Sequence, residues 1–158
     1  MDQHPYFDYY NGSNLEFFRY PGIHVELHMP WNKLEERAFN LINIERQKYG
    51  LSQLGLFSQI FKISKDKAKD MALYNDPNHY SARFGGDEGV QLKNAGINHG
   101  AWVANIYWGK SNPVQSWMNS PEHRNNILNP HINYIGIAGY KSPSTQLIYW
   151  SMIGTASL

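Results

Sequence analysis

The chain has 158 residues, 42% of them hydrophobic and 17% charged, which suits one domain with a real core and excludes a disordered chain. A net charge of +1, with no block of like charge, gives no field to attract nucleic acid or an anionic membrane. The chain contains no cysteine, which excludes disulfides, thiolate metal sites and cysteine nucleophiles, and no apolar run approaches the roughly 18 residues of a membrane span.

The first residues, Met1-Asp2-Gln3-His4-Pro5-Tyr6-Phe7, lack a basic start, an apolar stretch and a small-residue cleavage site, so no signal peptide is read in this chain. Two readings stay open: the protein remains inside the cell, or Met1 begins a chain without its export signal. Residues 1–30 carry seven aromatic rings (Tyr6, Phe7, Tyr9, Tyr10, Phe17, Phe18, Tyr20) and turn signals at Asn11-Gly12 and Pro21-Gly22. Such an extension is expected to pack over an apolar face of the main domain, 31–158, because so many bare rings favour aggregation. A partner-binding arm is the alternative. Residues 23–28 alternate with period two and read as a short strand placing His24, Glu26 and His28 on one face. A solvated strand face is preferred there to a metal site.

The body opens with a helix. Asn32 can cap it, Glu35 completes a capping box, Leu34, Ala38, Leu41 and Ile42 form a stripe, and Gly50 supplies the stop. A second helix is predicted over 58–74, ended by Asp76-Pro77, with Ile60, Phe61, Ile63, Ala68, Met71 and Ala72 inward. A short helix over 88–94 follows Gly85-Gly86 and closes at Gly96. Residues 102–108 form a loop or strand, 113–119 a helix opened by Pro113, and Ser120-Pro121 starts another, with Ser120 as its cap. Period-two patterns over 134–140 and 147–153 predict antiparallel strands joined near Ser142-Pro143. Helices first and strands late suggest an α+β layered domain.

Several blocks in order resemble the CAP superfamily, which includes cysteine-rich secretory proteins, venom antigens and plant pathogenesis-related proteins. The likeness is nearer to the bacterial, cysteine-free SCP-like branch. It is carried by Leu41-Ile42-Asn43-Ile44-Glu45-Arg46, Lys69-Asp70-Met71-Ala72, Asn78-His79-Tyr80-Ser81 and Leu92-Lys93-Asn94-Ala95-Gly96-Ile97. The longest run is Ser116-Trp117-Met118-Asn119-Ser120-Pro121-Glu122-His123-Arg124-Asn125-Asn126-Ile127-Leu128. Asn105-Ile106, Tyr134-Ile135-Gly136-Ile137 and Tyr149-Trp150 complete the set, over about residues 33–154. The resemblance implies a CAP-type α-β-α sandwich, a small antiparallel sheet flanked by helices with a cleft on one side. It implies an extracellular or cell-surface location.

In many family members two histidines and two glutamates line that cleft, and in some they hold a divalent metal. His79 and His123 match the two histidines. Ala104, before Asn105-Ile106, stands at the first glutamate, and Ser120, three residues after Trp117, stands at the second, where the bacterial branch commonly has serine. The implied cleft set is thus His79, His123, Ala104, Asn105, Ser120 and Glu122. Two imidazoles without a carboxylate make a poor zinc site, so no cofactor is expected and any divalent metal (zinc) at His79 and His123 would be weakly held. Glu88 and Glu122 could substitute, but Glu122 adjoins His123 on a helix and points about 100° away.

A hydrolase needs a nucleophile, a base and an oxyanion stabiliser. Ser81 and Ser120 lie near the histidines in sequence, but Ser120 already has a capping role, and no acid is evidently placed to orient either ring. Arg124 is expected to bond carbonyls or pair with an acid, and Trp117 and Trp150 to pack in the core. The favoured reading is a monomeric binding module with a degenerate His/Glu cleft, whose partner is a protein, a cell-wall component or a lipid. Alternatives are a hydrolase of peptide, cell-wall or ester bonds using the His79/His123 pair, or a lipid- or sterol-binding protein.

Overall fold

A computed structural model describes residues 31–158. The aromatic extension and the strand expected over 23–28 lie outside the described residues.

Helix α1 spans Lys33–Lys48 and begins on the expected capping box: the Glu35 N–H donates to Asn32 Oδ1 and the Asn32 N–H donates to Glu35 Oε1, both at 2.9 Å. The other Glu35 oxygen is buried and accepts from Gly139 N (3.0 Å) and Lys65 Nζ (2.9 Å), so the capping carboxylate also ties α1 to the rest of the fold. Leu34 is exposed, which shortens the expected stripe to Ala38, Leu41 and Ile42, joined by Phe39. Gly50, at φ +70°, supplies the left-handed stop.

After the two-residue strand β1 (Gly55–Leu56), helix α2 (Ser58–Tyr74) buries every residue predicted to face inward. Its stop is Asn75 in the left-handed region, one residue before the expected Asp76-Pro77. Then come α3 (Glu88–Asn94), β2 (Trp102–Gly109), α4 (Pro113–Met118), α5 (Pro121–Ile127), β3 (Tyr134–Lys141) and β4 (Ile148–Thr155). The segment left open between loop and strand is therefore a full strand, β2.

The sheet order is β1-β3-β4-β2. Strands β3 and β4 pair antiparallel, as do β4 and β2, while β1 adds to β3 in parallel. Alternation sends Ile135, Ile137, Trp150 and Met152 to one face, where they pack with α1 and with Val114, Trp117 and Ile127 of α4 and α5. Helices α2 and α3 cover the other face through Ile60, Ile63, Leu92 and Ile97 around Ile153, and through Met71 and Ala72 around Tyr149. The fold is α+β in three layers, as expected. Gly136 sets the spacing: a Cβ there would lie 2.4–2.6 Å from the backbone of Ile60 and Phe61.

Candidate functional site

The two matched histidines come from opposite layers and stand close enough for His79 to lower the His123 pKa by repulsion. His79 follows α2. Lys67, fully buried on α2, donates its ammonium to the carbonyls of Asn78 (2.6 Å) and His79 (2.7 Å) and so fixes the loop that carries the ring. Burial depresses the Lys67 pKa, and the carboxylates of Glu88, Asp70 and Asp76 partly restore it.

Glu88, named from sequence as a possible substitute, is the acid that reaches a histidine, although no acid was expected to orient either ring. It opens α3 after the Asp87 cap, is fully buried, and brings both oxygens to His79 Nδ1 at 2.8 and 3.0 Å. Lys67 Nζ stands 3.9 Å from Glu88 Oε1, so a buried cation accompanies the buried anion. The result is a Lys67–Glu88–His79 chain that ends on a ring whose side chain is 46% exposed. Ala104 faces the same side of β2 as Trp102, whose ring crowds Gly89 of α3. Thus the strand position that carries a glutamate in the resemblance is alanine here, and α3, packed on that face, delivers a carboxylate instead.

His123 lies in the first turn of α5. Ser120 occupies the N-cap position, yet its hydroxyl makes no cap bond and instead meets His123 Nδ1 at 3.0 Å. The expected capping role of that hydroxyl is corrected accordingly: three residues along, the imidazole reaches back to it. The His123 pKa is lowered, first by burial and then by repulsion from the neighbouring His79, with Glu122 opposing. Glu122 itself is exposed. Asn105 is fully buried beneath the site. Its amide donates to the His123 carbonyl (2.9 Å) and its oxygen accepts from Asn126 (2.8 Å), which also reaches the Ala104 carbonyl at 3.2 Å.

A cavity of about 330 Å³ opens beside His123, lined by Ile106, Tyr107, Trp108, Ser116, Trp117 and Ser120. A larger groove of about 450 Å³ lies apart from it, against α2 and α3, and contains none of the predicted cleft residues. The other candidate serine, Ser81, is buried and donates its hydroxyl to Asp70 (2.8 Å). Arg124 stacks over Tyr49 and donates to its hydroxyl, and its charge helps to lower the pKa of Glu45, which burial raises. Among the described residues no group of three or more histidine or acidic side chains is arranged to hold a metal ion.

This architecture and its paired histidines define a CAP domain. The chain belongs to the cysteine-rich secretory protein family, whose model matches residues 39–153. Among its relatives is the uncharacterized protein YkwD of Bacillus subtilis (strain 168), 36% identical over 113 residues that cover 70% of this chain and 44% of YkwD. The uncharacterized membrane protein YlbC of the same organism is 28% identical over 126 residues, covering 73% of this chain and 35% of YlbC. The chain therefore spans less than half the length of these curated relatives. A similar solved structure is an extracellular, SCP-domain protein from Bacillus anthracis: TM-score 0.71, 24% identity, covering 79% of this chain and 41% of that one. An outer surface protein from Borrelia burgdorferi gives a TM-score of 0.68 at 18% identity, covering 80% of this chain and 95% of its own. No helix among the described residues is long and apolar enough to cross a membrane.

Proposed function

We propose that this CAP domain is a binding module, working outside the cell or at its surface, whose cleft holds a ligand between the two imidazoles. The observation that carries the reading is the way both rings are anchored. Each Nδ1 is engaged from within the domain, by Glu88 and by Ser120. The extracellular and surface neighbours support the location.

The donor set fits tight zinc poorly. Zinc takes three or four protein ligands. With both Nδ1 atoms engaged, each histidine has Nε2 left, and Glu88 is committed to His79 and Lys67. A triad is likewise incomplete, since Ser81 is bound to Asp70 and Ser120 meets its histidine through Nδ1, the nitrogen that an orienting acid would occupy. The Glu88–His79 pair favours the second reading, a hydrolase, because an oriented imidazole is half of an acid–base device.

Turnover screening on peptide, cell-wall and ester substrates separates the two, with wild type run beside His79→Ala and His123→Ala. The binding module predicts the same background rate in all three. Turnover that disappears with either histidine would replace binding by catalysis.

A further inference from the structure

The geometry points to a neutral saccharide ring as the ligand of this cleft, an inference that rests on the binding-module reading. Trp108 is 47% exposed yet lines the same cavity as His123 and Ser120. The neighbouring rings are already fixed: Trp117 Nε1 donates to the Ile106 carbonyl (2.9 Å), and the Tyr107 hydroxyl meets Ser111 Oγ (2.9 Å). Held rings leave little entropy to lose on binding, and the open indole offers a flat apolar surface. The lining also carries the polar side chains of Ser116, Ser120 and His123, and no carboxylate, lysine or arginine.

His79 lies outside this lining, but close enough to His123 to repel its charge. With both Glu88 oxygens within 3.0 Å of Nδ1, the neutral ring places its proton on Nδ1, facing them. Its Nε2 is then a hydrogen-bond acceptor awaiting a donor. An acyl chain would offer no partner to the hydrogen-bonding capacity that Ser116 and His123 Nε2 retain. A charged ligand would find no opposite charge on the cavity wall. A pyranose meets both demands: its C–H face packs on an indole, and its hydroxyls donate to an imidazole and exchange bonds with serines. Glu88 and Lys67 are, on this reading, positioning residues that set the His79 tautomer.

The test titrates the labelled chain with cellotriose and chitotriose while following Trp108 fluorescence and the ring nitrogens of His79 by NMR. Expected are saturable shifts of both residues with at least one sugar, and affinity reduced about tenfold or more in Trp108→Ala. In sugar-free Glu88→Gln, His79 is expected to move from the Nδ1–H tautomer toward a mixture, with an unchanged amide fingerprint elsewhere reporting an intact fold. No saturable response to either sugar, or unchanged affinity in Trp108→Ala, overturns the proposal. If a peptide or lipid vesicles move these resonances and the sugars do not, the saccharide assignment fails while the binding module stands. Sugar cleavage that depends on His79 would do the reverse, keeping the ligand class and ending the binding-module reading.

Discussion

Asp70 gathers three hydrogen bonds on α2, from Ser81 Oγ (2.8 Å), Arg83 Nε (2.8 Å) and Arg83 Nη2 (2.9 Å). Burial alone would raise its pKa, but the bonds from Arg83 and Ser81 outweigh burial and hold it below the ordinary 3.8. The unfolded chain then binds this proton more readily than the folded one. The stabilisation is complete above pH 3.8 and is lost as pH falls through the lowered folded value. Denaturant melts across that range should show Asp70→Asn less stable than wild type at neutral pH, with the gap closing in acid. A gap independent of pH would mean that the carboxylate charge is not what the loop after α2 depends on.

The residue scale is also where reading from sequence reached its limit. His79 and Glu88 are nine positions apart and belong to different elements, so no helical or strand period pairs them. Only the packing of α3 on the Trp102–Ala104 face of β2 brings the carboxylate in. Ser120 and His123 do have a legible spacing of three. Here two local uses compete for one hydroxyl, a backbone cap and a side-chain partner, and the imidazole takes it.

Among the elements, helix ends were legible because capping is local: Asn32 with Glu35, and Pro113 and Pro121 at first turns, all act within a few residues. Strand β1 was not, since two residues cannot show a period. Strand β2 was half-legible because it forms an edge with its own attendants. Asn126 and Trp117 donate to the Ala104 and Ile106 carbonyls, so helix side chains occupy positions that a further strand would use.

Two predictions belong to this scale. Arg46 is buried on α1 with its pKa lowered by burial to about 10, and it donates to the carbonyls of Ser52 (2.7 Å), Ile127 (2.9 Å) and Asn129 (2.7 Å). Arg46→Met keeps much of the volume but orphans these carbonyls, at a cost of about 3 kcal/mol in urea unfolding. A loss under about 1 kcal/mol would show that water replaces the guanidinium readily. Gly136→Ala drives a Cβ into the α2 backbone, where no side chain can rotate away. Calorimetry should show a destabilisation of about 3 kcal/mol or failure to fold, and an unchanged melting temperature would contradict the packing described for α2.

At the scale of the whole molecule, two of the three layers each supply one imidazole. The layer containing α2 and α3 delivers His79 with its buried Lys67–Glu88 support, and the layer containing α4 and α5 delivers His123 with Ser120. Each ring has its own support, so the proposed binding module would meet a ligand with two prearranged imidazoles rather than assemble them around one. A zinc titration monitored through the imidazole nitrogens of His79 and His123 tests this account most directly. Separately anchored binding groups predict weak, non-saturating shifts, whereas stoichiometric, saturating shifts of both rings together would show a metal site and contradict it.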